Sequence, residues 1–383
     1  MKRPLHILVA HNVSRTRSGG MSRIMGLIHD QITKAGHHVD YFCAEDIPAR
    51  MDGRMTRFSF PLLVYRHAVA AAKSGKPYDL VNIHEPHSAA ISRSKTTAGN
   101  PAVVVTSHGL EQRGWELALE EARRGREGRS LKSRLTYPLT VLWQARLGLK
   151  RANHIFCLNN EDRDYLVKRL RVSSAKITRI FPGANETYAT KASTRDYARA
   201  DRLLFAGTWR KNKGIEYLVP AFTLLAERHP NLTLTVLGAG RSEAEVRDFF
   251  PERLRSRISC TQTESEEQNA AVFAEHDVFV LPSLFEGTPL TLVEAMMSGI
   301  PVVTTNTCGM KDVIRNKDNG LLVPIRSSEA IVLAVEGLIN DKALRARVGL
   351  AAHREAVENY QWERVSEPVL EVYERLCSQI IKA

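Results

Sequence analysis

Two glutamates, Glu286 and Glu294, stand eight positions apart in the stretch LPSLFEGTPLTLVEAMMSGI, residues 281–300. Carboxylates accept hydrogen bonds well from vicinal hydroxyls. The residues between them read as a turn into a helix. Pro289 suits the first helical position, where its missing N–H is not needed, and Thr288 is the expected N-cap. The free N–H groups of Leu290 and Thr291, with the helix dipole, would then form an anion site next to Gly287. At about 1.5 Å rise per residue, Glu294 lies about one to two turns into that helix. It could hold sugar hydroxyls while the helix start faces phosphate. Spacing alone leaves a second reading open, an acid near the helix start and an ordinary helix glutamate. The apolar neighbours Leu292, Val293, Ala295 and Met296 argue against a wholly exposed Glu294.

Other polar groups follow apolar runs. In FAGTWRKNKG, residues 205–214, a glycine turn leads to Arg210, Lys211 and Lys213. Cations placed there suit a departing diphosphate, or simply a solvated turn. SGGMSR offers Gly19 and Gly20, which would let backbone approach a phosphate or a sugar, or would form a plain loop; it lacks the GxGxxG spacing. VVVTSHG sets His108 directly after a run of valines, where it could bond a substrate hydroxyl or serve structure. His84 and His87 lie at another such end, a context that disfavours a metal-binding pair on one helix face. The chain has no GxSxG elbow, P-loop or HExxH motif.

These residues need elements to position them. LHILVA, the amphipathic run from Met21 to Ile32, Gly36 and HHVDYFCA read as strand, helix, helix end and strand, a βαβ unit. YDLVNIHEP, AVVVTSHG and HIFCLNN continue the cycle. A second set follows from residue 201: RLLFAGTW, LTLTVLGAG, DVFVLPS, IPVVTT and GLLVP as strands, IEYLVPAFTLLAERHP and PLTLVEAMMSG as helices. The stretch 183–200 lacks apolar periodicity and reads as a link. The expectation is α/β, two Rossmann-like doubly wound domains facing a central cleft, with ligands at the carboxyl ends of the strands. With 383 residues, 43% hydrophobic and 25% charged, the chain can fill two cores. Five scattered cysteines without CxxC suggest reduced thiols in the cytoplasm. The N-terminus reads as a first strand rather than a cleaved signal, and no apolar run is long enough to span a membrane.

Taken together, the motifs resemble the GT-B glycosyltransferases, specifically retaining family 4, over nearly the whole chain. The resemblance rests on Gly19-Gly20, GHHV, YDLVNIHEP, VVVTSHG, IFPGAN and FAGTWRKNKGIEYLVPAF. Its most specific part is HDVFVLPSLFEGTPLTLVEAMMSGIPVVTTNTCGMKDVI with NGLLVP, which carries an E-x7-E signature at Glu286 and Glu294. The resemblance implies transfer of a sugar from a UDP- or GDP-sugar to a carbohydrate or lipid-linked acceptor with retained anomeric configuration. Cell-surface polysaccharide, lipopolysaccharide or glycolipid synthesis would be the setting. It implies an acceptor-binding domain at 1–185, on which a final helix 362–383 packs back, and a donor-binding domain at 200–361. Glu294 would hold the ribose, Glu286 the sugar, and Lys213 and the amides around Gly287, Thr288, Leu290 and Thr291 the diphosphate. His108 would lie by the transferred sugar and Gly20 by the phosphate. No cofactor or metal is implied, since the nucleotide-sugar is a substrate. Thr208 stands where many members have an arginine, and Arg210 is the candidate to replace it. A GT-B epimerase or hydrolase is the alternative.

The net charge is +12, and residues 122–151 hold nine Arg/Lys against one acid, Glu127. Leucines, Tyr137 and Trp143 are interleaved with them. This pattern suits peripheral contact with an anionic membrane, at the inner face of the cytoplasmic membrane, or a basic loop beside a buried helix. No recognition fold supports a nucleic-acid partner.

Overall fold

The structure is a computed structural model that describes residues 3–16, 20–51, 56–91, 100–126, 130–190, 192 and 194–381. The chain divides into two compact units, Met1–Phe181 with Val365–Ala383, and Pro182–Arg364.

The first unit carries a six-stranded sheet of β1 (His6–Ala10), β2 (His38–Phe42), β3 (Leu80–His84), β4 (Ala102–Ser107), β5 (His154–Cys157) and β6 (Ile177–Arg179), in the order β2-β1-β3-β4-β5-β6. Every pairing is parallel. Strands β3, β4 and β5 are buried at every position. Their near-continuous apolar runs follow from helices covering both faces of a parallel sheet. The second unit repeats the plan with β7 (Arg202–Ala206), β8 (Thr233–Leu237), β9 (Ile258–Thr261), β10 (Val278–Leu281), β11 (Val302–Thr305) and β12 (Leu321–Val323), ordered β12-β11-β10-β7-β8-β9, again all parallel. Both are doubly wound α/β sheets. The direction of winding reverses between β1 and β3 in one and between β7 and β10 in the other, and such switch points open crevices at the carboxyl ends of the strands.

Strands β6 and β9 have no counterpart in the sequence reading. They are short edge strands with polar residues among few apolar ones, so periodicity does not reveal them. The reading of 183–200 as a link is corrected. That stretch belongs to the second unit and is bolted to it by separate anchors. Tyr188, Ala192 and Tyr197 are buried. The Arg195 guanidinium donates to the carbonyls of His276, Phe273 and Ser298, and the Tyr197 hydroxyl donates to that of Gly299. Irregular backbone held by single side chains has no period for a sequence to show.

The last helix, Trp362–Ile381, begins in the second unit, and from Val365 its residues belong to the first. At its start, Trp362 is buried against Gly183, where an added Cβ would sit 2.8 Å from the indole. Farther along, Tyr373 is fully buried and joins a closed polar network. The Asn82 amide donates to the Tyr373 hydroxyl at 2.6 Å, Thr106 donates to the Asn82 carbonyl at 2.8 Å, and the Tyr373 hydroxyl lies 3.2 Å from Nε2 of His29. His29 Nδ1 lies 2.7 Å from the Met25 carbonyl, so Nδ1 carries the proton and Nε2 accepts. Burial depresses the His29 pKa to about 4, which keeps it neutral. Every member is satisfied only while the helix is docked. Tyr373→Phe should therefore cost roughly 1–3 kcal/mol, by leaving buried partners unpaired. Urea unfolding of the two proteins side by side measures it, and an unchanged midpoint would show that the network does not hold the helix.

Candidate active site

In the second unit, chemistry collects where β7 and β10 end. β7 stops at Ala206, and Gly207 turns away with φ +143°. Trp209 is fully buried against Phe205, Phe249 and Phe250, which fixes the loop. Thr208 and Arg210 are thereby left exposed on either side of it. A turn of 3-10 helix, Lys211–Lys213, then reaches Gly214, whose φ of +75° starts the helix Ile215–Arg228. Only glycine fits there, because a Cβ would lie 1.9 Å from the Pro282 carbonyl oxygen. That contact, with the Leu284 amide donating to the Asn212 carbonyl at 2.8 Å, locks the β7 loop against the β10 loop.

The two loops share an ion pair. Lys213 Nζ lies 2.5 Å from Oε1 of Glu286, with their side chains 18% and 15% exposed. Ser283 donates to the same oxygen at 3.1 Å. The aliphatic end of Lys213 passes over Gly207. A sheltered ion pair at a crevice is a loaded arrangement, because a ligand bearing negative charge can take over the ammonium and release the carboxylate.

After Glu286 the chain enters the helix Leu290–Met297. The expected cap is corrected here. Pro289, not Thr288, holds the N-cap position, with extended backbone and no side-chain cap. Thr288 is instead buried against Gly309, where a Cβ would approach its hydroxyl to 2.3 Å and the Gly287 carbonyl to 2.1 Å. The Gly309 amide donates to that carbonyl at 2.8 Å. With no side chain closing the helix start, the first-turn amides, those of Leu290 and Thr291, carry the positive end of the dipole. The Leu290 side chain is buried, and the Thr291 hydroxyl donates to the Ala206 carbonyl at 3.3 Å, so only their backbone is offered.

Glu294 is 2% exposed, one turn further in. Its Oε1 lies 3.0 Å from the Tyr188 hydroxyl, which also lies 3.0 Å from Oε2 of Glu266. One phenolic proton thus serves two carboxylates. Tyr188 and Glu266 are site residues that the sequence reading missed. The only signal for Tyr188 was that it is one of two tyrosines, with Tyr197, in a polar stretch that shows no period.

The first unit gathers histidines at its own switch point. His11 follows β1, His84 ends β3 and His108 follows β4. His108 Nε2 lies 3.2 Å from His84 Nδ1, and the His84 ring stands 5.4 Å from that of His11. His11 Nε2 meets the Cys43 thiol at 3.6 Å. His84 is buried and its Nε2 has no hydrogen-bond partner among the described residues. Burial drives His84 well below the ordinary histidine range and His108 to about 3, so both are neutral. Beside them Glu85 accepts from the Glu111 amide at 3.2 Å, and burial raises its pKa to about 8. Gly20 opens the helix Gly20–Lys34 with nothing within 4 Å of where a side chain would project, and Gly19 lies outside the described residues.

These shifts have a definite sign. Below about pH 6.5 the unfolded chain takes up protons on histidines that the native chain leaves neutral, so the histidine contribution to stability is lost as pH falls. Glu85 acts in the opposite sense. Its contribution is full below about 4.5 and is lost as pH rises toward about 8, because the unfolded chain releases the proton first. Thermal unfolding should occur at lower temperature at about pH 5 than at about pH 7.5, and Glu85→Gln should steepen that dependence. A midpoint that stays level across this range would contradict the neutral histidine cluster.

Two family models tile the chain. Residues 18–188 match Glycosyltransferase Family 4, and residues 189–355 match Glycosyl transferases group 1. The chain is 26% identical over 281 residues to the UDP-Gal:alpha-D-GlcNAc-diphosphoundecaprenol alpha-1,3-galactosyltransferase of Escherichia coli, covering 70% of this chain and 68% of that protein. It spans about half the length of several other curated relatives that it matches. Among solved structures, sucrose-phosphate synthase from Thermosynechococcus elongatus superimposes with a TM-score of 0.78 at 20% identity, covering 98% of this chain and 100% of that one. Anabaena Alr3699/HepE in complex with UDP gives 0.70 at 15% identity, covering 97% and 100%.

Proposed function

Because the chain belongs to the family 4, group 1 glycosyltransferases of GT-B fold, we propose that it transfers a hexosyl group from a nucleoside diphosphate sugar to a carbohydrate or lipid-linked acceptor with retention of configuration. The observation that carries this reading is the Lys213–Glu286 pair at the β7–β10 switch point, beside an uncapped helix start. A diphosphate bound there takes the Lys213 ammonium and the amides of Leu290 and Thr291, with Gly287 and Thr288 shaping the approach. Arg210, exposed at the same loop, adds a second cation. Glu286, released from Lys213, accepts from hydroxyls of the donor sugar. Glu294 accepts from the ribose hydroxyls, and Tyr188 holds its carboxylate in place.

The chemistry proposed is the front-face transfer that membership of this family implies, and the charge distribution supports its leaving-group step. The bond from the anomeric carbon to the diphosphate oxygen breaks, and the electron pair leaves on phosphate. Lys213 and the helix start stabilise that charge as it develops, which lowers the barrier. The acceptor oxygen bonds to the same face of the anomeric carbon, and its proton passes to the departing phosphate oxygen. Lys213 and the amides carry the charge that a metal would otherwise carry, and no cofactor enters the scheme. A neutral His108 supplies a hydrogen bond to a substrate hydroxyl rather than a charge. The nucleotide of the Anabaena neighbour and the lipid-diphosphate acceptor named for the Escherichia coli relative support a uridine donor and a cell-surface glycan or glycolipid product.

Incubation with UDP- and GDP-sugars, with and without acceptors, tests the reading. The expected result is nucleoside diphosphate release that accelerates with an acceptor, and a product whose anomeric configuration by NMR matches the donor. Epimer formation without acceptor, or an inverted product, would overturn it. Glu294→Ala should weaken nucleotide affinity by about ten- to hundredfold, the worth of hydrogen bonds to a charged group. Lys213→Ala should lower kcat by about a hundredfold or more. Calorimetric titration and initial-rate kinetics separate the two effects, and intact donor affinity in Glu294→Ala would remove the ribose assignment.

A further inference from the structure

Leu131, Leu135, Leu139 and Trp143 are 78%, 69%, 76% and 59% exposed. Single apolar side chains in water are ordinary, but a contiguous row of large ones marks an interaction surface. The geometry shows that this is a row. In a plain α-helix each four-residue step drifts by about 40°, so three steps would spread the side chains over roughly 120°. Here the helix Leu131–Tyr137 meets Pro138, which has no N–H to continue the ladder. The next turn, Pro138–Leu142, is π-helical, and the Trp143 amide bonds back to the Pro138 carbonyl five residues earlier. The wider turn winds less per residue and cancels the drift, so Leu135, Leu139 and Trp143 stay in line.

The opposite side is locked. Val141, Ala145 and Leu149 are buried, and Gly148 lies so close to Ser88 that a Cβ would meet its hydroxyl at 1.8 Å. Tyr137 stacks on Trp115 with ring centroids 4.5 Å apart and donates to the Glu111 carboxylate. The ridge therefore cannot roll inward to hide. Lys132, Arg134, Arg146, Lys150 and Arg151 are exposed along the same helical run, and Glu127 is the one acid of residues 122–151. A second copy of this chain would bring these cations against their own kind. An anionic lipid surface supplies both the opposite charge and an apolar layer. Among the described residues no helix is long and apolar enough to cross a membrane. We propose that the Leu131–Trp143 ridge docks on an anionic phospholipid surface, with the leucines and Trp143 inserted below the headgroups and the cations at the phosphates.

The full chain should cosediment with mixed phosphatidylglycerol–phosphatidylcholine vesicles at low salt and bind pure phosphatidylcholine much less. Each cation removed in Arg146→Gln, Lys150→Gln and Arg151→Gln should weaken binding roughly fivefold. Leu135→Ser with Leu139→Ser should abolish binding with little change in thermal midpoint, since both side chains are exposed. The unmodified chain supplies its own reporter. Of its tryptophans Trp143 is the exposed one, the others being buried, so a blue shift of fluorescence on adding anionic vesicles reads its insertion. Absence of that shift would overturn the proposal. So would binding that survives both sets of substitutions, or a self-associated chain that the leucine changes turn into monomers.

Discussion

Lys213 and Glu286 meet because β7 and β10 are neighbours that run the same way. A parallel strand delivers its following loop to the same edge as the next strand delivers its own, so residues some 70 positions apart in the chain become a contact. The winding reverses between these two strands, and the helices that follow them lie on opposite faces of the sheet. The loops then diverge and leave room at the edge. The remaining features of the second unit serve that geometry. Gly214 allows the β7 loop to press on Pro282, Gly309 allows the following helix to press on Gly287 and Thr288, and buried Trp209 keeps the exposed Arg210 and Thr208 turned outward.

The same constraint acts in the first unit with different chemistry. Its switch point is lined by neutral histidines rather than by an ion pair, because desolvation leaves each imidazole uncharged and able to bond through one donor and one acceptor. A neutral imidazole offers one donor and one acceptor and carries no charge to attract a phosphate. The difference between a charged strand edge and a neutral one follows from burial and partner charge, not from the fold plan that the two units share.

The basic helical run after residue 130 illustrates a different balance. Its inward face is fixed by a glycine without room for a side chain and by stacked aromatics, while Leu131, Leu135 and Leu139 stay largely exposed to water. Pro138 is the hinge of that arrangement. By breaking the regular ladder it keeps the exposed side chains aligned.

The sequence by itself determined the two sets of parallel strands, since apolar runs ending at Gly, His or Glu have one plausible architecture. It also placed Glu286, Lys213 and His108 at strand ends and marked 122–151 as basic and amphipathic. Edge strands β6 and β9 stayed hidden, being too short and too polar for their period to register. Tertiary structure alone decided which strand ends are neighbours, that Lys213 closes on Glu286, that Pro289 rather than Thr288 caps the helix, and that Tyr188 reaches Glu294 from a stretch with no pattern. It also decided that Leu131, Leu135, Leu139 and Trp143 face water. Periodicity records which residues share a face of one element, but it carries no information about contacts made by single side chains across long separations.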